Sequence, residues 1–246
     1  MTAPNRHRVV TITGASRGLG EGMARRCLDL GISVALCARS LPPFDDSDRC
    51  LSRSVDVTDG DAVQRFCTEA AERFGHIDLW INNAGVLEPI GPLRDNDPAA
   101  WQQHLAVNVL GVFHGSQAYA RHLHDTRHHD GVLVNISSGA ARSAYAGWSA
   151  YCAAKAAVDR MSECLALEEG AHGLRVHAVA PGIIDTDMQS LIRASSPEQF
   201  PMVHKFLDLK KNERFSTPEF VADQILSLAF EPEARTDEVL VSLRRP

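Results

Sequence analysis

Short apolar runs alternate along the chain with longer stretches of helical periodicity. Seven runs of strand length are rich in β-branched and aliphatic residues, and polar or glycine-containing segments separate them. These predicted strands are 8–13, 32–38, a run that ends at Asp56 and Val57, 78–81, 132–136, 174–180 and 239–243. Strands that alternate with helices in this way predict an α/β fold.

Helical patterns fill most of the stretches between those strands. Apolar positions recur on one face of 61–74, and Gly75 is placed to end that helix. Further helices are predicted after the glycine-rich turn that follows the first strand, from Pro98, over 151–168, and behind the cap formed by Thr217. A chain of 246 residues with this alternation is expected to form one domain over 1–246.

The composition is that of an ordinary globular protein with a moderate acidic excess. Hydrophobic residues make up 44% and charged residues 23%, and the formal charge of −6 argues against nucleic acid as a partner. No apolar run approaches the ~20 residues needed to span a bilayer, and the first residues lack a signal-type apolar segment. We therefore expect a cytoplasmic protein with no membrane partner.

The cysteines and a histidine-rich segment are weaker candidates for chemistry. The six cysteines show no CxxC spacing, which favours reduced thiols, and Cys152 is interpreted as a helix packing residue. Segment 122–130 contains four histidines, of which His124 and His128 have the i, i+4 spacing of metal ligands. An exposed helix end, favoured by the helix dipole, is the better interpretation. We predict no metal site.

A glycine-rich turn between the first strand and the first helix is a candidate phosphate-binding element. Gly14, Gly18 and Gly20 follow the strand directly. Such a turn lets the backbone approach a pyrophosphate and points the helix N-terminus at its charge. A single glycine loop is weak evidence, and this spacing differs from the usual GxGxxG of dinucleotide-binding turns.

Tyr151 and Lys155 are a candidate catalytic pair in the sequence YCAAK. A spacing of four residues places both side chains on one helix face, where the ammonium stabilises a phenolate. Lowering the phenol pKa by about three units needs about 4 kcal/mol, which implies a second positive charge and partial burial. Ser138 follows a predicted strand and is expected to present its hydroxyl to the same site. Alone, a Tyr-x-x-x-Lys pair is common on helix surfaces.

Six motifs, in their order and spacing, resemble those of the classical short-chain dehydrogenases/reductases over nearly the whole chain. They are TGASRGLG with its Gly14, the Asn82-Asn83-Ala84-Gly85 run, Asn108, Ser138, Tyr151-x-x-x-Lys155 and Pro181-Gly182. The resemblance implies a single-domain, Rossmann-like, doubly wound parallel sheet of about seven strands with helices on both faces. It also implies a cofactor half over about 8–110, a catalytic and substrate half over about 111–246, and a lid over about 186–212.

The family's functional roles carry over to the matching positions. Tyr151 is expected to protonate the substrate oxygen, and Ser138 to donate a second hydrogen bond to it. Lys155 is expected to orient the cofactor ribose, and Asn108 to hold a water that connects Lys155 to solvent. Residues expected to contact a nicotinamide cofactor are Gly14, Ser16, Arg17, Gly18, Leu19, Gly20, Arg39, Asp56, Val57, Asn83, Ala84, Gly85, Tyr151, Lys155, Pro181, Gly182, Ile184 and Thr186.

The end of the second strand predicts which cofactor is used. Enzymes that prefer NAD usually carry an acidic residue there, which bonds the ribose 2′-hydroxyl, and this chain has Ala38. Arg39 and Arg17 are instead expected to pair with the 2′-phosphate of NADPH. The alternative is two solvated surface arginines. Segment 40–52 departs from the family because it is too short and too rich in Pro and Asp for the usual helix.

The resemblance is closest to the sepiapterin reductase and bacterial benzil reductase branch, on the segment PGIIDTDMQSLIRA. Sepiapterin reductases carry a C-terminal aspartate that anchors the pterin, and VLVSLRRP has no clear equivalent. We therefore expect a small aromatic or vicinal dicarbonyl substrate. Apolar residues expected to line its pocket are Trp148, Tyr145, Val86, Leu87, Met188, Leu191 and Ile192, although each on its own is better explained by packing.

The predicted activity is NADPH-dependent carbonyl reduction, and two alternatives remain open. One is the same chemistry on a 3-ketoacyl thioester, or alcohol oxidation. The other is a non-catalytic protein that senses NADP, which the Tyr151 and Lys155 pair disfavours. The helices over 100–122 and 151–168, with small residues such as Ala153, Ala154, Ala156 and Ala157, predict a homodimer or homotetramer, because related enzymes associate through them.

Overall fold

A seven-stranded parallel sheet forms the centre of the molecule. The computed structural model describes residues 7–126, 130–212 and 215–243. The strand order is β3-β2-β1-β4-β5-β6-β7, and every neighbouring pair is parallel. The strands are β1 Val9–Thr13, β2 Ser33–Ala38, β3 Cys50–Ser54, β4 Leu79–Asn82, β5 Gly131–Ile136, β6 Leu174–Ala180 and β7 Leu240–Ser242.

Helices cover both faces of this sheet, as a doubly wound fold requires. One apolar core joins the sheet to α1 and α8, and a second joins the opposite face to α2, α4 and α5. The helices are α1 Gly18–Asp29, α2 Gly60–Phe74, α3 Pro98–Leu105, α4 Gly111–Thr126, α5 Ser149–Glu169, α6 Asp187–Ala194, α7 Val203–Lys211 and α8 Pro218–Phe230. The predicted fold class is confirmed.

The strand order shows where a ligand-binding crevice is expected. The chain runs outward from β1 to β3 on one side and from β4 to β7 on the other. The carboxyl ends of β1 and β4 therefore lie at the point where the strand order reverses, which is where ligands bind in open α/β sheets. Both strands are fully buried, because helices cover the two faces of their apolar runs.

The connection between β2 and β3 contains no helix, as its Pro- and Asp-rich sequence predicts. Residues 39–49 form bends and a short turn in which the Ser47 N–H donates to the Cys50 carbonyl at 2.9 Å. The predicted end of the third strand is wrong by two residues. β3 ends at Ser54, because the Asp56 side chain accepts the N–H of Thr58 at 2.9 Å and turns the chain toward α2.

The helix predicted from Pro98 begins there, and its N-cap is Asp97. It is not continuous, because residues Ala106–Leu110 form a π-helical segment between α3 and α4. Asn108 lies in the middle of this wider turn. Single π turns inside α-helices often occur at functional sites.

The segment predicted as a lid contains two short helices, α6 and α7. Asp185, just before α6, accepts hydrogen bonds from Arg193 at 2.9 Å and from Lys210, so one carboxylate joins both helices. Thr217 caps α8 as predicted, with its Oγ1 accepting the Phe220 N–H at 3.1 Å. Within the described ranges, no helix combines the length and apolarity needed to cross a membrane.

Candidate active site

The glycine turn after β1 is packed directly against the Asn-Asn-Ala-Gly run after β4. A Cβ at Gly14 would lie 2.6 Å from the Ala84 Cα, and one at Gly20 would lie 2.3 Å from the Gly14 carbonyl oxygen. Asn83 Nδ2 donates to the carbonyls of Thr13 at 3.0 Å and Gly14 at 3.1 Å. The two motifs therefore form one compact floor that tolerates no side chain at these glycines.

This floor fits a dinucleotide cofactor. The helix α1 starts at Gly18, and Arg17 at its N-cap supplies no side-chain hydrogen bond to the first-turn amides. Gly18, at a φ of 59°, also adopts a backbone conformation that favours glycine. Backbone N–H groups at a helix N-terminus are donors for phosphate. Ser16, Arg17 and Leu19 complete the predicted phosphate-binding turn, and Arg17 is exposed.

The two arginines predicted to pair with a 2′-phosphate have different neighbours. Arg17 Nη1 is 3.4 Å from the Asp187 carboxylate at the start of α6, and both side chains are exposed. Arg39 is exposed at the end of β2 and lies close enough to Asp56 that its charge contributes to lowering the pKa of that carboxyl, after the Thr58 N–H. Arg39 and Asp56 therefore border the end of the crevice predicted to hold the adenine ribose.

The end of β6 lies close to the same floor. Gly182 follows Pro181 with a φ of 82°, which favours glycine, and Ile184 forms a parallel bridge with Ser216. A Cβ at Gly18 would lie 3.3 Å from Thr186 Cγ2. Thr186 is thus placed beside the phosphate-binding turn, as its predicted role requires.

Tyr151 and Lys155 lie together, as their spacing predicts. Lys155 Nζ is 5.7 Å from the Tyr151 ring centroid and donates to the Ile136 carbonyl at 2.7 Å, at the end of β5. Ser138 begins the short helical turn Gly139–Ala141, and its side chain makes a hydrogen bond with the Tyr151 phenol. The end of β5 and the first turns of α5 therefore bring the three predicted catalytic side chains together.

Burial opposes the ionised forms of both partners. It raises the pKa of Tyr151 above its usual value, and the hydrogen bond from Ser138 partly opposes this. Burial also lowers the pKa of Lys155 to about 8, and the charge of Asp159 partly opposes this. The predicted burial is present, but the predicted lowering of the phenol pKa is not, because a low-dielectric environment disfavours a phenolate. An acidic Tyr151 needs positive charge beyond what Lys155 supplies.

Asn108 is fully buried and clamps the loop after β4. Its Oδ1 accepts the Val86 N–H at 3.0 Å, and its Nδ2 donates to the Val86 carbonyl at 2.9 Å. A Cβ at Gly85 would lie 2.8 Å from Asn108 Oδ1, so the close approach depends on glycine. The predicted water-holding role stays a prediction, and the side chain's visible role is to fix this loop.

Two buried polar residues beside the site were missed from the sequence. His104 lies within 2.9 Å of Asn108 Nδ2, and Asp159 accepts a hydrogen bond from Ser137 below Lys155. Burial raises the pKa of Asp159, and the Ser137 hydrogen bond opposes this. Both residues stand four positions from a predicted site residue, His104 before Asn108 and Asp159 after Lys155. That helical spacing was the available signal.

The residues predicted to line a substrate pocket gather in one apolar cluster at the carboxyl edge of the sheet, with one exception. Leu87, Trp148 and Ile192 are buried there, and Tyr145 and Met188 are partly buried. Leu191 is 43% exposed and is not part of this cluster, so its assignment to the pocket stays a prediction. Val86 packs on the α2 and α4 side of the sheet instead.

This apolar cluster also contains three residues that the sequence did not indicate, two of them aromatic. Phe200 stacks on Trp148 with ring centroids 4.3 Å apart, and Phe206 contacts both rings. Val203 is buried beside them. These residues lie in the segment predicted as a lid, about fifty residues after Trp148 in the sequence, so only the tertiary fold brings them into contact with it.

The cysteines and the histidine-rich segment do not form a site in the described part of the chain. All six cysteines are free, and Cys27, Cys37, Cys50 and Cys67 are buried. His124 Nε2 lies 2.7 Å from a Glu169 carboxylate oxygen, whereas His128 lies outside the described residues. In the described part of the chain, no three His, Cys, Asp or Glu side chains are grouped to hold a metal. His177 is buried in β6.

The comparisons with known proteins all point to the same family. A family model described as short chain dehydrogenase matches residues 8–197. A benzil reductase ((S)-benzoin forming) from Bacillus cereus is 31% identical over 245 residues, covering 95% of this chain and 98% of the relative. The protein of that name from Bacillus subtilis (strain 168) is 34% identical over 225 residues, covering 88% and 91%.

A solved structure agrees with these relatives. The 3-ketoacyl-(acyl-carrier-protein) reductase from Brucella melitensis, complexed with NADH, has a TM-score of 0.79 at 26% identity and covers 96% of each chain. The family match contains the glycine turn, Ser138, Tyr151 and Lys155, which the structure brings to one crevice. The chain therefore belongs to the short-chain dehydrogenases, oxidoreductases that bind a nicotinamide cofactor and act on carbonyl or alcohol groups.

Proposed function

We propose that the protein is an NADPH-dependent carbonyl reductase that acts on small aromatic or vicinal dicarbonyl compounds. The observation that carries this proposal is the convergence of Ser138, Tyr151 and Lys155 at a crevice bordered by an aromatic cluster. The similarity to two benzil reductases supports the substrate class, because benzil is an aromatic compound with two adjacent carbonyl groups.

The mechanism uses the side chains at the end of β5 and the start of α5. When bound, the reduced nicotinamide supplies the hydride. Tyr151 donates its phenolic proton to the substrate oxygen as negative charge develops there. Ser138 donates a second hydrogen bond to the same oxygen, so donors are in place before the charge forms. The Lys155 ammonium stabilises the phenolate that remains and orients the ribose, and Asn108 supports the return of the proton.

Arg39 supports NADPH over NADH. It follows Ala38, so no carboxylate ends β2 where one would bond a ribose 2′-hydroxyl. Its exposed guanidinium is free to pair with a 2′-phosphate. Arg17 is the second candidate for this phosphate. Its pair with Asp187, at 3.4 Å between two exposed groups, contributes little stability and would not hold the guanidinium in place.

A second candidate is reduction of a 3-ketoacyl thioester. The similarity to the 3-ketoacyl-(acyl-carrier-protein) reductase structure favours it. Tyr145 favours the flat aromatic substrate instead, because its ring is only partly buried beside Trp148 and an aromatic ring packs well against a planar molecule.

We also propose that the protein acts as a homo-oligomer joined through α4 and α5. Ala153 and Ala156 are exposed on α5, and Leu167 on the same helix is 87% exposed. Phe113 is exposed on α4. Ala154, however, is fully buried within the protomer, so its assignment to this surface is wrong.

The function is tested by following NADPH oxidation with benzil, small aliphatic diketones and a 3-ketoacyl thioester. We expect turnover with the diketones, and a Tyr151→Phe variant should lose at least about a hundredfold in kcat while its affinity for NADPH stays nearly unchanged. Tyr119→Phe is the matched control, since that buried phenol donates to the Ile77 carbonyl away from the site. Substantial turnover by Tyr151→Phe would remove Tyr151 from the acid role.

A further inference from the structure

His104 joins the loop after β4, the π segment and the catalytic helix. Its side chain is 1% exposed. Nδ1 lies 2.7 Å from the Glu88 carbonyl oxygen, and Nε2 lies 2.9 Å from Asn108 Nδ2. The ring also meets the Tyr151 ring edge-on, with centroids 6.2 Å apart. One buried imidazole thus touches both the proposed acid and the residue proposed to support its proton supply.

The two hydrogen-bond partners fix the state of this imidazole. A carbonyl oxygen only accepts, so Nδ1 must carry a hydrogen. Asn108 Oδ1 accepts the Val86 N–H, which identifies the other amide atom as the NH2 group facing His104. Nε2 must therefore be the bare acceptor. The ring is neutral, and both hydrogens of the Asn108 amide are used, one on Val86 and one on His104.

We infer that His104 is a positioning residue, whose neutral ring is anchored on the Glu88 carbonyl, orients the Asn108 amide and supports the Tyr151 ring from one side. The inference rests on the proposed carbonyl reduction. Without His104, Asn108 keeps its two bonds to Val86, but one amide hydrogen loses its partner in a fully buried place. The Tyr151 ring would lose a packing surface at the same time.

This arrangement predicts a pH response. Protonation at Nε2 would direct an N–H against the Asn108 NH2 group and break their bond. The titratable groups facing the ring are Tyr151 and Lys155 of α5, while Glu88 is exposed and presents its backbone carbonyl. Burial, assisted by the charge of Lys155, lowers the pKa of His104 below its usual 6.5. The ring is therefore neutral at pH 7 and becomes charged only at more acidic pH.

Two substitutions separate the contacts of His104. In His104→Gln, the amide oxygen reaches the position of Nε2, so it accepts from Asn108 and cannot titrate. In His104→Asn, the shorter amide occupies the position of Nδ1, so it keeps the hydrogen bond to the Glu88 carbonyl. The Asn108 hydrogen that faced Nε2 then has no acceptor. We expect His104→Gln to keep kcat within about threefold and to lose the acid-side decline of the wild-type pH profile. His104→Asn should lower kcat about tenfold, the effect of one buried hydrogen bond, with little change in the KM for NADPH.

His177→Asn is the matched control. That histidine is also buried, its Nδ1 lies 2.9 Å from the Glu238 carbonyl, and its Nε2 has no hydrogen-bond partner in the described part of the chain. Its kcat and pH profile should equal those of the wild type. Identical pH profiles and kcat values for wild type, His104→Gln and His104→Asn would overturn the inference.

A readout without substrate keeps this inference distinct from the proposed function. In long-range proton–nitrogen spectra of histidine-labelled protein, His104 is identified as the signal missing from His104→Gln. We expect its ring to be protonated at Nδ1 alone at neutral pH, and to titrate below pH 6.5. A ring protonated at Nε2 at neutral pH overturns the inference. Absence of turnover with every carbonyl tested, together with the expected ring state, counts against the proposed function and leaves the positioning of Asn108 supported.

Discussion

At the scale of single residues, the proposed active site places Tyr151 and Lys155 where burial disfavours their charged forms. The pKa of Lys155 falls to about 8, so the lysine is still mostly protonated at pH 7. The pKa of Tyr151 rises, so the phenol holds its proton until a substrate oxygen becomes more basic. That order suits a general acid, because the proton is present when the reaction needs it and the nearby ammonium stabilises the product phenolate.

The pairing of Tyr151 with Lys155 could be predicted, whereas its electrostatics could not. A spacing of four residues on a helix specifies that two side chains share a face. The direction of each pKa shift depends on how much protein surrounds the pair, and that protein comes from β5, α3 and the lid. His104 illustrates the same limit. Its spacing from Asn108 was visible in the sequence, but its contact with Tyr151 depends on how α3 packs against α5.

Arg39→Asp should weaken NADPH binding and shift preference toward NADH. The substitution replaces a guanidinium that suits a 2′-phosphate with a carboxylate that repels it and accepts from a 2′-hydroxyl. We expect the ratio of kcat/KM for NADPH to that for NADH to fall by at least about tenfold, which corresponds to about 1.4 kcal/mol. Steady-state kinetics with both cofactors measures it.

The matched control for this charge change is Arg49→Asp. Arg49 is exposed on the same connection between β2 and β3 but precedes β3, away from the end of β2. It should leave the cofactor ratio unchanged. If Arg39→Asp discriminates between the two cofactors as the wild type does, the assignment of NADPH through Arg39 is wrong.

At the scale of elements, the helix that carries Asn108 shows that the sequence pattern predicts where a helix begins but not where it changes to a π turn. Its start at Pro98 follows from a local cap, which the sequence contains. The π segment depends on contacts with distant residues. Asn108 pairs with Val86, and a Cβ at Gly111 would lie 2.7 Å from Val57 Cγ2, so the wider turn fits the helix between two fixed neighbours. The periodic pattern of apolar residues within the helix contains no information about these contacts with Val86 and Val57.

The helix α7 offers a prediction about the lid. Phe206 is buried against Trp148 and Phe200, whereas its neighbour Leu207 is 43% exposed. Phe206→Ala should detach the lid from the catalytic half, because truncating a buried phenylalanine costs about 3–5 kcal/mol. We expect faster proteolytic cleavage within 186–212 and a higher KM for the carbonyl substrate.

Leu207→Ala controls for the loss of an apolar side chain from the same helix. It should leave both cleavage and KM close to the wild-type values, since an exposed side chain contributes little packing. Limited proteolysis followed by mass spectrometry locates the cuts. Equal protection of the lid in Phe206→Ala and Leu207→Ala would show that the aromatic cluster does not hold α6 and α7 in place.

At the scale of the whole molecule, the doubly wound parallel sheet of about seven strands was the most predictable feature. Seven apolar runs with helices between most of them allow few parallel arrangements, because right-handed crossovers fix which face each helix covers. The motifs then locate the crevice at the ends of β1 and β4. The substrate cluster was less accessible, since Phe200, Val203 and Phe206 form it through the lid, whose position depends on Trp148 and on the bonds from Asp185 to Arg193 and Lys210.

The assembly of the molecule gives the last prediction. If two copies associate through α4 and α5, Ala156 lies in the contact, because it is exposed midway along α5. Ala156→Arg would then bury a charge without a partner, which costs about 3–5 kcal/mol and should raise the dissociation constant at least about a hundredfold. Light scattering coupled to size exclusion should show a dimer or tetramer for the wild type and a smaller species for Ala156→Arg.

Leu30→Arg, at an exposed position just after α1 on the opposite face, should assemble as the wild type does. A monomeric wild type, or an Ala156→Arg variant of wild-type mass, would contradict association through these helices.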